Sequence, residues 1–308
     1  MADNTYRYLN TLIQEGSFSR AAQALEISQP SLSQFIQRLE ADIGSTLIDR
    51  NARPVQLTYA GECFLETEKE IAQLRDRRRQ QIADIGAGIK GKVRIGASHY
   101  RSTYFLTAVL PAFRKLYPNI DISLEEGTTM QLEEFVHSGK TDVSLVLQPL
   151  DNPELTSVTL YREKLLIALA ADHPLIEKLP ANKEEFPPLP FEYLDRLPFI
   201  RIKKGQKFHK LFEAMCEKCN VMPLMVLDSE SPTAALALAS VGLGATFVTE
   251  TLARRCHTPA PVRYFRLSPE MPDRVVVAAY KKDRYLSKAA QALIEVMKHV
   301  GEKEFSRG

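Results

Sequence analysis

The sequence lacks any long apolar run. No stretch of its 308 residues approaches the roughly 20 apolar residues that a membrane-spanning helix needs. No apolar segment follows a basic start, as a secretory signal would require. We therefore expect a cytoplasmic protein that does not contact a membrane. Hydrophobic residues make up 44% of the chain and charged residues 25%, which is typical of globular domains.

Cysteines are few, and they form no metal-binding pattern. We expect Cys63, Cys216, Cys219 and Cys256 to stay reduced in the cytoplasm. Cys216 and Cys219 form a single C-x-x-C, whereas a zinc site would need a second pair or histidines at ligand spacing. We therefore expect neither a metal nor another cofactor. Buried or incidental thiols are the favoured interpretation of this pair, with a redox role as the alternative.

The common catalytic motifs are also absent. The sequence contains no H-E-x-x-H, no G-x-S-x-G and no P-loop. Ser98 and His99 cannot form a catalytic dyad, because neighbouring side chains on an extended chain point apart. We expect that the protein is not an enzyme, although a cleft on any fold can host chemistry. A solute-binding protein is a further alternative, but it would carry a signal peptide and no N-terminal helix-turn-helix.

Neither sign of charge dominates the chain. The net charge is +2, and the first 60 residues hold five arginines, no lysine and six acidic residues. DNA-binding domains usually present a basic surface. A nucleic-acid interface here would therefore depend on a few clustered arginines, backbone N–H groups and helix N-termini.

Residues 16–50 have the pattern of two short helices joined by a tight turn. Ser19 is expected to cap the first helix and Ser28 the second, which has Pro30 in its first turn. Gly44 is expected to end the second helix. A short turn, a small Ala-rich first helix and an exposed polar helix start are typical of a DNA-binding helix-turn-helix. An ordinary helical hairpin is the alternative.

The second helix is predicted to have one apolar face and one polar face. Leu32, Ile36, Leu39 and Ile43 recur at helical spacing and so share a buried face. The opposite face carries amide and hydroxyl groups, which can both donate to and accept from base edges. The residues expected nearest the bases are Gln29, Pro30, Ser31, Ser33, Gln34 and Gln37. Arg38 is expected nearer phosphate.

These residues match a known N-terminal signature. The matching positions are Gly16-Ser17-Phe18, Ala21-Ala22, Leu25, Ser28-Gln29, Ser33, Ile36, Leu39-Glu40, Gly44, Leu47, Arg50, Arg53, Leu57-Thr58 and Gly61. In this pattern the chain resembles the LysR-type transcriptional regulators, with Ile48 where that family usually has phenylalanine. The resemblance implies binding to double-stranded promoter DNA, control by a small-molecule effector, homodimers or homotetramers, and contact with RNA polymerase.

A wing and a long helix are predicted after the helix-turn-helix. Residues 47–58 read as two short strands around the turn at 51–54. Arg53 at the tip of this wing is expected to enter the minor groove. Arg50 is a weaker candidate, either for contact with a phosphate or for bracing the wing. Thr58 is expected to cap a helix to about residue 85, whose imperfect heptad favours a dimerising helix over a solvated linker.

These patterns and the resemblance together predict three parts. We expect residues 1–58 to form a winged helix-turn-helix DNA-binding domain, residues 59–86 a linker and dimerisation helix, and residues 91–308 the effector-binding domain that the resemblance implies. Three glycines within 86–91 indicate a hinge between them. Beyond it, strands and helices alternate, which predicts an α/β fold with parallel sheets.

Two crossovers are expected within the effector-binding domain. The chain is predicted to cross near Arg162 and to return near Leu267. This gives subdomain I at 91–162 and 268–300, and subdomain II at 163–267. The arrangement resembles the type II periplasmic-binding-protein-like effector domain of LysR-type regulators. The proline-rich segment 180–198 is interpreted as a surface loop.

Candidate effector-binding residues follow the predicted strands. Ligands of open α/β sheets bind beyond the C-terminal ends of strands, near helix N-termini. In subdomain I the candidates are Ser98, His99, Tyr100, Arg101, Ser102, Thr128, Thr129 and Gln148. In subdomain II they are Arg201, Lys203, Ser231 and Phe247. Each hydroxyl could instead cap a helix, but together with His99 and the two arginines they suggest a small anion, such as a carboxylate.

Overall fold

The computed structural model describes residues 4–85, 91–179, 182–202 and 207–305 of the chain. The chain divides into two units, Met1–Gly86 and Ala87–Gly308. The predicted glycine hinge lies outside the described residues apart from Gly91, and so does Lys203. Within the described ranges, no helix is long and apolar enough to cross a membrane.

The N-terminal unit combines helices with one two-stranded ribbon. Its elements are α1 (Thr5–Glu15), α2 (Phe18–Ala24), α3 (Gln29–Ile43), β1 (Ile48–Asp49), β2 (Gln56–Leu57) and α4 (Tyr59–Ile85). β1 and β2 pair antiparallel, with Ile48 opposite Leu57. Apolar side chains from α1, α2, α3 and β1 form its core. The predicted helix-turn-helix, wing and long helix are therefore confirmed.

Hydroxyl and glycine caps fix the ends of these helices. Ser28 Oγ accepts a hydrogen bond from the Ser31 backbone N–H at 3.2 Å, and Thr58 Oγ1 accepts one from Gly61 at 3.0 Å. Gly44 ends α3 with a φ of 73°, a conformation that strains any other residue. The prediction for Ser19 is wrong. Phe18 packs on the core and begins α2, so Ser19 lies inside the helix, where it cannot cap.

The C-terminal unit alternates strands and helices. Its elements are β3 (Gly91–Ala97), α5 (His99–Arg101), α6 (Thr107–Leu116), β4 (Ile120–Glu126), α7 (Thr129–Ser138), β5 (Val143–Leu147), β6 (Leu155–Glu163), β7 (Leu165–Ala170), α8 (Pro174–Glu177), β8 (Pro188–Pro190), β9 (Pro198–Ile202), α9 (Lys207–Cys219), β10 (Leu224–Ser229), α10 (Pro232–Ser240), β11 (Ala245–Thr249), α11 (Glu250–Arg255), β12 (Val262–Ser268), β13 (Arg274–Lys281) and α12 (Lys288–Glu304). A π-helical segment, Ser102–Leu106, joins α5 to α6.

The described strands of this unit form two mixed sheets. Their orders are β4-β3-β5-β13-β6 and β10-β9-β11-β7-β12-β8. β3, β4 and β5 run parallel, as do β9, β10 and β11. β13 is antiparallel to β5 and β6, and β7 is antiparallel to β11 and β12. The prediction of parallel sheets is therefore only partly right, because one strand next to the crossovers in each sheet, β13 or β7, runs in the opposite direction.

The prediction of a surface loop at 180–198 is wrong for most of the segment that the structure describes. β8 pairs with β12 at the edge of the second sheet. Leu189, Phe191, Leu194 and Leu197 between the prolines are buried in the core of that sheet. Proline is tolerated on an edge strand, where a missing N–H breaks no ladder.

The helix caps make a testable prediction. Ser28→Ala should destabilise the start of α3 by about 1 kcal/mol, because the Ser31 N–H loses its acceptor. Ser19→Ala is the matched control, since Ser19 lies within α2. Hydrogen–deuterium exchange of peptides covering α3 measures the effect. Equal acceleration of α3 exchange in both variants would contradict the assignment.

Candidate functional site

The predicted polar face of α3 is presented to solvent. The side chains of Gln29, Pro30, Ser31, Gln34, Gln37 and Arg38 are exposed, and Ser33 is half-buried. On the opposite side, Leu32 and Ile36 are fully buried. Ser31 Oγ lies 2.7 Å from Ser28 Oγ, so the Ser31 hydroxyl also supports the cap. The amides of Gln34 and Gln37 make no hydrogen bond to the described residues, which leaves them available for a base edge.

Glu40 joins α3 to the wing. Glu40 Oε1 accepts hydrogen bonds from the backbone N–H groups of Leu47 at 2.9 Å and Ile48 at 3.1 Å. Glu40 Oε2 accepts one from Arg50 Nη2 at 3.1 Å. The Arg50 guanidinium also lies 5.4 Å from the centroid of the Phe18 ring. Of the two roles predicted for Arg50, this geometry supports bracing the wing. Sequence reasoning matched Glu40 as part of the signature but gave it no role.

Arg53 is exposed at the tip of the wing. Asp49 Oδ1 accepts a hydrogen bond from the Asn51 backbone N–H at 2.9 Å and so shapes the turn. The Val55 N–H donates to the Gly16 carbonyl at 3.0 Å, which ties the wing to the turn before α2. The guanidinium of Arg53 is therefore carried by an anchored loop.

The role of Glu40 can be tested by removing its carboxylate. Glu40→Ala should lower the free energy of unfolding of the N-terminal unit by about 2 kcal/mol, because two backbone N–H groups lose a charged acceptor. Asp42→Ala removes an exposed carboxylate from the same helix and should change little. Urea denaturation, with hydrogen exchange of the wing peptide, measures both. A wing that exchanges equally slowly in the two variants would refute this role.

The C-terminal strand ends of the two sheets meet at the crossovers. The parallel strands β3, β4 and β5 end at one edge of the first sheet, and β9, β10 and β11 end at one edge of the second. The first crossover leaves β6 after Glu163, which lies opposite Arg274 at the start of β13. It enters β7 at Leu165, opposite Thr249 at the end of β11. Both polar edges therefore lie at the same junction, where a ligand of an open α/β sheet is expected to bind.

Tyr100 and the first crossover are each hydrogen-bonded to the second sheet at this junction. The hydroxyls of Tyr100 and Thr249 form a hydrogen bond with each other. The Glu250 N–H donates a hydrogen bond to the Lys164 carbonyl at 3.1 Å. Tyr100 thus reaches the predicted cleft, where it contacts the second sheet. Sequence reasoning also placed Thr249 among the polar residues at a predicted strand end, within 246–249.

Several predicted hydroxyls cap helices that follow the parallel strands. Ser98 caps α5, Thr128 forms a capping box at α7, and Ser231 caps α10. Thr129 is the first residue of α7, and Gln148 is exposed just after β5. A capping hydroxyl accepts from the backbone but keeps its own proton to donate. Ser98 and Ser231 therefore remain candidate ligand donors, whereas the Thr128 hydroxyl already donates to Gln131 Oε1 at 3.1 Å.

A carboxylate that the sequence reading missed lies beside these donors. His99 is exposed, and its Nδ1 lies 3.4 Å from the carboxylate of Glu126 at the end of β4. Hydrogen bonding by Ser102 and His99 holds the pKa of Glu126 below its usual value. Glu126 therefore carries a negative charge at neutral pH, next to residues that were expected to attract an anion.

The two predicted arginines are engaged by carboxylates of this chain. The buried Arg101 donates to the Tyr161 hydroxyl at 3.0 Å and to Glu163 Oε1 at 3.2 Å. Arg201 binds Asp228 through two hydrogen bonds of 2.7 and 2.8 Å. These carboxylates lie 62 and 27 positions further along the chain. No local sequence pattern reveals partners at such separations.

Phe247 lies in the core and not at the rim. Its side chain is buried in β11, and its ring packs edge-on against Phe212, with centroids 4.7 Å apart. It also contacts Phe199 at 5.3 Å between centroids. This position contradicts direct contact between Phe247 and an effector, because strand alternation points its side chain away from the cleft.

The cysteines are reduced in the structure. Cys216 is partly buried on α9, and burial raises the pKa of its thiol to about 11. The thiol therefore stays protonated at neutral pH, and the reactive thiolate that redox chemistry needs is scarce. Among the described residues, no cluster of His, Cys, Asp or Glu side chains has the geometry of a metal site.

Family models match both units of the chain. The model of the LysR substrate binding domain matches residues 86–302, and that of the bacterial regulatory helix-turn-helix proteins of the lysR family matches residues 4–62. The chain belongs to the LysR family of transcriptional regulators. It is therefore a DNA-binding regulator with an effector-binding domain, as the sequence signature implied.

Individual relatives agree with this family over nearly the whole chain. YcgK of Bacillus subtilis, an uncharacterized HTH-type transcriptional regulator, is 29% identical over 98% of this chain and 95% of its own. Full-length CbnR, solved in complex with its target DNA, is 22% identical with a TM-score of 0.68, covering 96% of this chain and 99% of its own. The effector binding domain of QuiR, solved with shikimate, is 19% identical with a TM-score of 0.60, covering 70% of this chain and 100% of its own.

Proposed function

We propose that this LysR-family chain binds promoter DNA through its winged helix-turn-helix, and that a small effector at the crossovers changes this binding. The exposed, uncharged polar face of α3 carries the first part of the proposal. The polar strand ends that meet at the crossovers support the second part. The matched relatives are transcriptional regulators, which favours regulation over catalysis. In this proposal the protein acts in the cytoplasm, where it binds promoter DNA.

In this proposal the N-terminal half of α3 enters the major groove. Gln34 and Gln37 offer amide groups that can bind adenine through two hydrogen bonds, and the hydroxyl of Ser33 can bond to any base edge. Arg38 lies nearer phosphate, and Arg53 enters the flanking minor groove. Backbone N–H groups at the start of α3 add to the few arginines. Because few phosphates are neutralised, binding should depend only modestly on salt.

A second copy of the chain would cover part of α4. Leu74 and Ile82 are exposed on this helix, where isolated monomers would leave apolar surface in water. Pairing through residues 59–86 would place two DNA-binding domains on half-sites about one helical turn, or roughly 34–36 Å, apart. Two such dimers would form the tetramer that contacts RNA polymerase.

The effector is proposed to be a small anion. The hydroxyls of Ser98 and Ser231 and N–H groups in the first turns of α7 and α10 supply donors around the proposed site. Because Arg101 and Arg201 are already paired, these neutral donors would provide much of the recognition. The effector must bind one arrangement of the two subdomains more tightly than the other, since only differential affinity shifts an equilibrium.

Base readout by α3 can be tested with single substitutions. Gln34→Ala and Ser33→Ala should each lower the ratio of specific to nonspecific DNA affinity by about tenfold, because a base contact is lost. Arg53→Ala should weaken sites with A·T-rich flanks most. Gln14→Ala, an exposed amide on α1, is the control and should change neither. The measurement is a competition gel shift on a site selected by the wild-type protein. An equal loss on random DNA for all variants would contradict the assignment.

A further inference from the structure

Three charged side chains meet where the chain passes between the sheets. Glu163 ends β6, and Arg274 begins β13 directly opposite it. Arg101 reaches them from α5. Arg101 Nη2 lies 3.2 Å and Arg274 Nε 3.5 Å from the same oxygen, Glu163 Oε1. The side chains of Arg101 and Glu163 are 4% and 1% exposed, whereas that of Arg274 is 21% exposed.

This cluster has a surplus of one positive charge. Two guanidiniums share one carboxylate, and no second carboxylate lies within ion-pair distance of either among the described residues. The neighbouring Tyr100 and Tyr161 do not compensate, because burial raises the pKa of both phenols and keeps them neutral. A buried charge without a counter-charge is costly. The cluster therefore favours an added anion.

The cluster also has one unused acceptor and one unused donor. Within the described part of the chain, the buried atoms Glu163 Oε2 and Arg274 Nε have no hydrogen-bond partner. Buried polar atoms are paired in most proteins, and exceptions call for an explanation. A group that donates to the first atom, joined to an anion that accepts from the second, would satisfy both.

We propose that Arg274 and Glu163 form a binding subsite for a small 2-hydroxycarboxylate. Its carboxylate accepts from the Arg274 guanidinium and neutralises the surplus charge, and its hydroxyl donates to Glu163 Oε2. The two functional groups must be adjacent in the ligand, because the two side chains are only 3.5 Å apart. The inference rests on the proposed function in taking this unit as the ligand-sensing part of the regulator.

The position of the subsite explains how a bound ligand would act on the two crossovers. Glu163 precedes the first crossover, and Arg274 follows the second. The Gln148 N–H donates to the carbonyl of Val275 at 3.0 Å, so Arg274 adjoins the rim of the cleft. A ligand bound beside Glu163 and Arg274 contacts the chain at both crossovers and so biases the angle between the sheets.

Three ligands with the same carbon skeleton test the proposal. L-Lactate has the carboxylate and the hydroxyl, propionate lacks the donor, and L-alanine replaces the hydroxyl with an ammonium group whose charge leaves the surplus uncompensated. Titration calorimetry uses the full chain in a buffer without chloride, which would compete as an anion. We expect lactate to bind about tenfold more tightly than propionate, through its additional hydrogen bond to a charged group, and more tightly than alanine.

Substitution of Arg274 tests the residue itself. Arg274→Gln should abolish lactate binding, and Arg263→Gln, at an exposed arginine on β12, should leave it unchanged. Thermal unfolding measures whether both variants are folded. The comparison of the three ligands uses only the wild-type chain, so it does not depend on the folding of either variant. The proposal is overturned if lactate does not bind, if the three ligands bind equally, or if Arg274→Gln binds lactate as the wild type does.

A gel shift with the same preparations separates this inference from the proposed function. Arg274 lies outside the helix-turn-helix, so wild type and Arg274→Gln should bind DNA alike without ligand. Failure of the lactate series with DNA binding intact would refute the subsite alone. Failure of the wild-type chain to bind any DNA specifically would refute the proposed function instead.

Discussion

The two crossovers of the chain between the sheets impose the constraint on which the C-terminal unit depends. Both crossovers run along the edge where the parallel strands end, so polar residues from both sheets must meet there. Glu163 and Arg274, which flank the crossovers, bring buried charge to the same place. A change in the angle between the sheets must therefore rearrange the hydroxyls, the helix N-termini and the ion pairs together. This coupling makes the junction suitable for converting ligand binding into movement.

The DNA-binding unit depends on equally local contacts. The cap at Ser28 sets where α3 begins, and the apolar side chains of Leu32 and Ile36 set which face is turned outward. The Glu40 carboxylate then holds the wing against the end of the same helix. One helix thus positions both the polar face proposed for base contacts and the loop that carries Arg53.

The sequence predicted well those features that depend on neighbouring residues. The caps at Ser28 and Thr58 and the end of α3 at Gly44 follow from short-range patterns. Sequence reasoning failed for side chains whose environment is set by contacts with residues far away in the chain. Apolar residues lie between the prolines of 180–198, and they pack in a core that is formed mostly by other strands. Arg101 looked available for a ligand because its partner, Glu163, is 62 positions away. Phe247 was selected for its place near the end of a predicted strand, but its contacts are with distant aromatic rings.

The central claim is that the exposed polar face of α3 recognises a specific promoter and that an effector bound at the crossovers changes this DNA binding. The most direct measurement is a gel shift and footprint of purified full-length protein on the DNA upstream of its own gene, with nonspecific competitor. The account predicts a specific, two-fold symmetric footprint, whose length changes when a small-molecule extract of the host cell is added. A protein that shows no specific shift at low salt, with or without the extract, would contradict it.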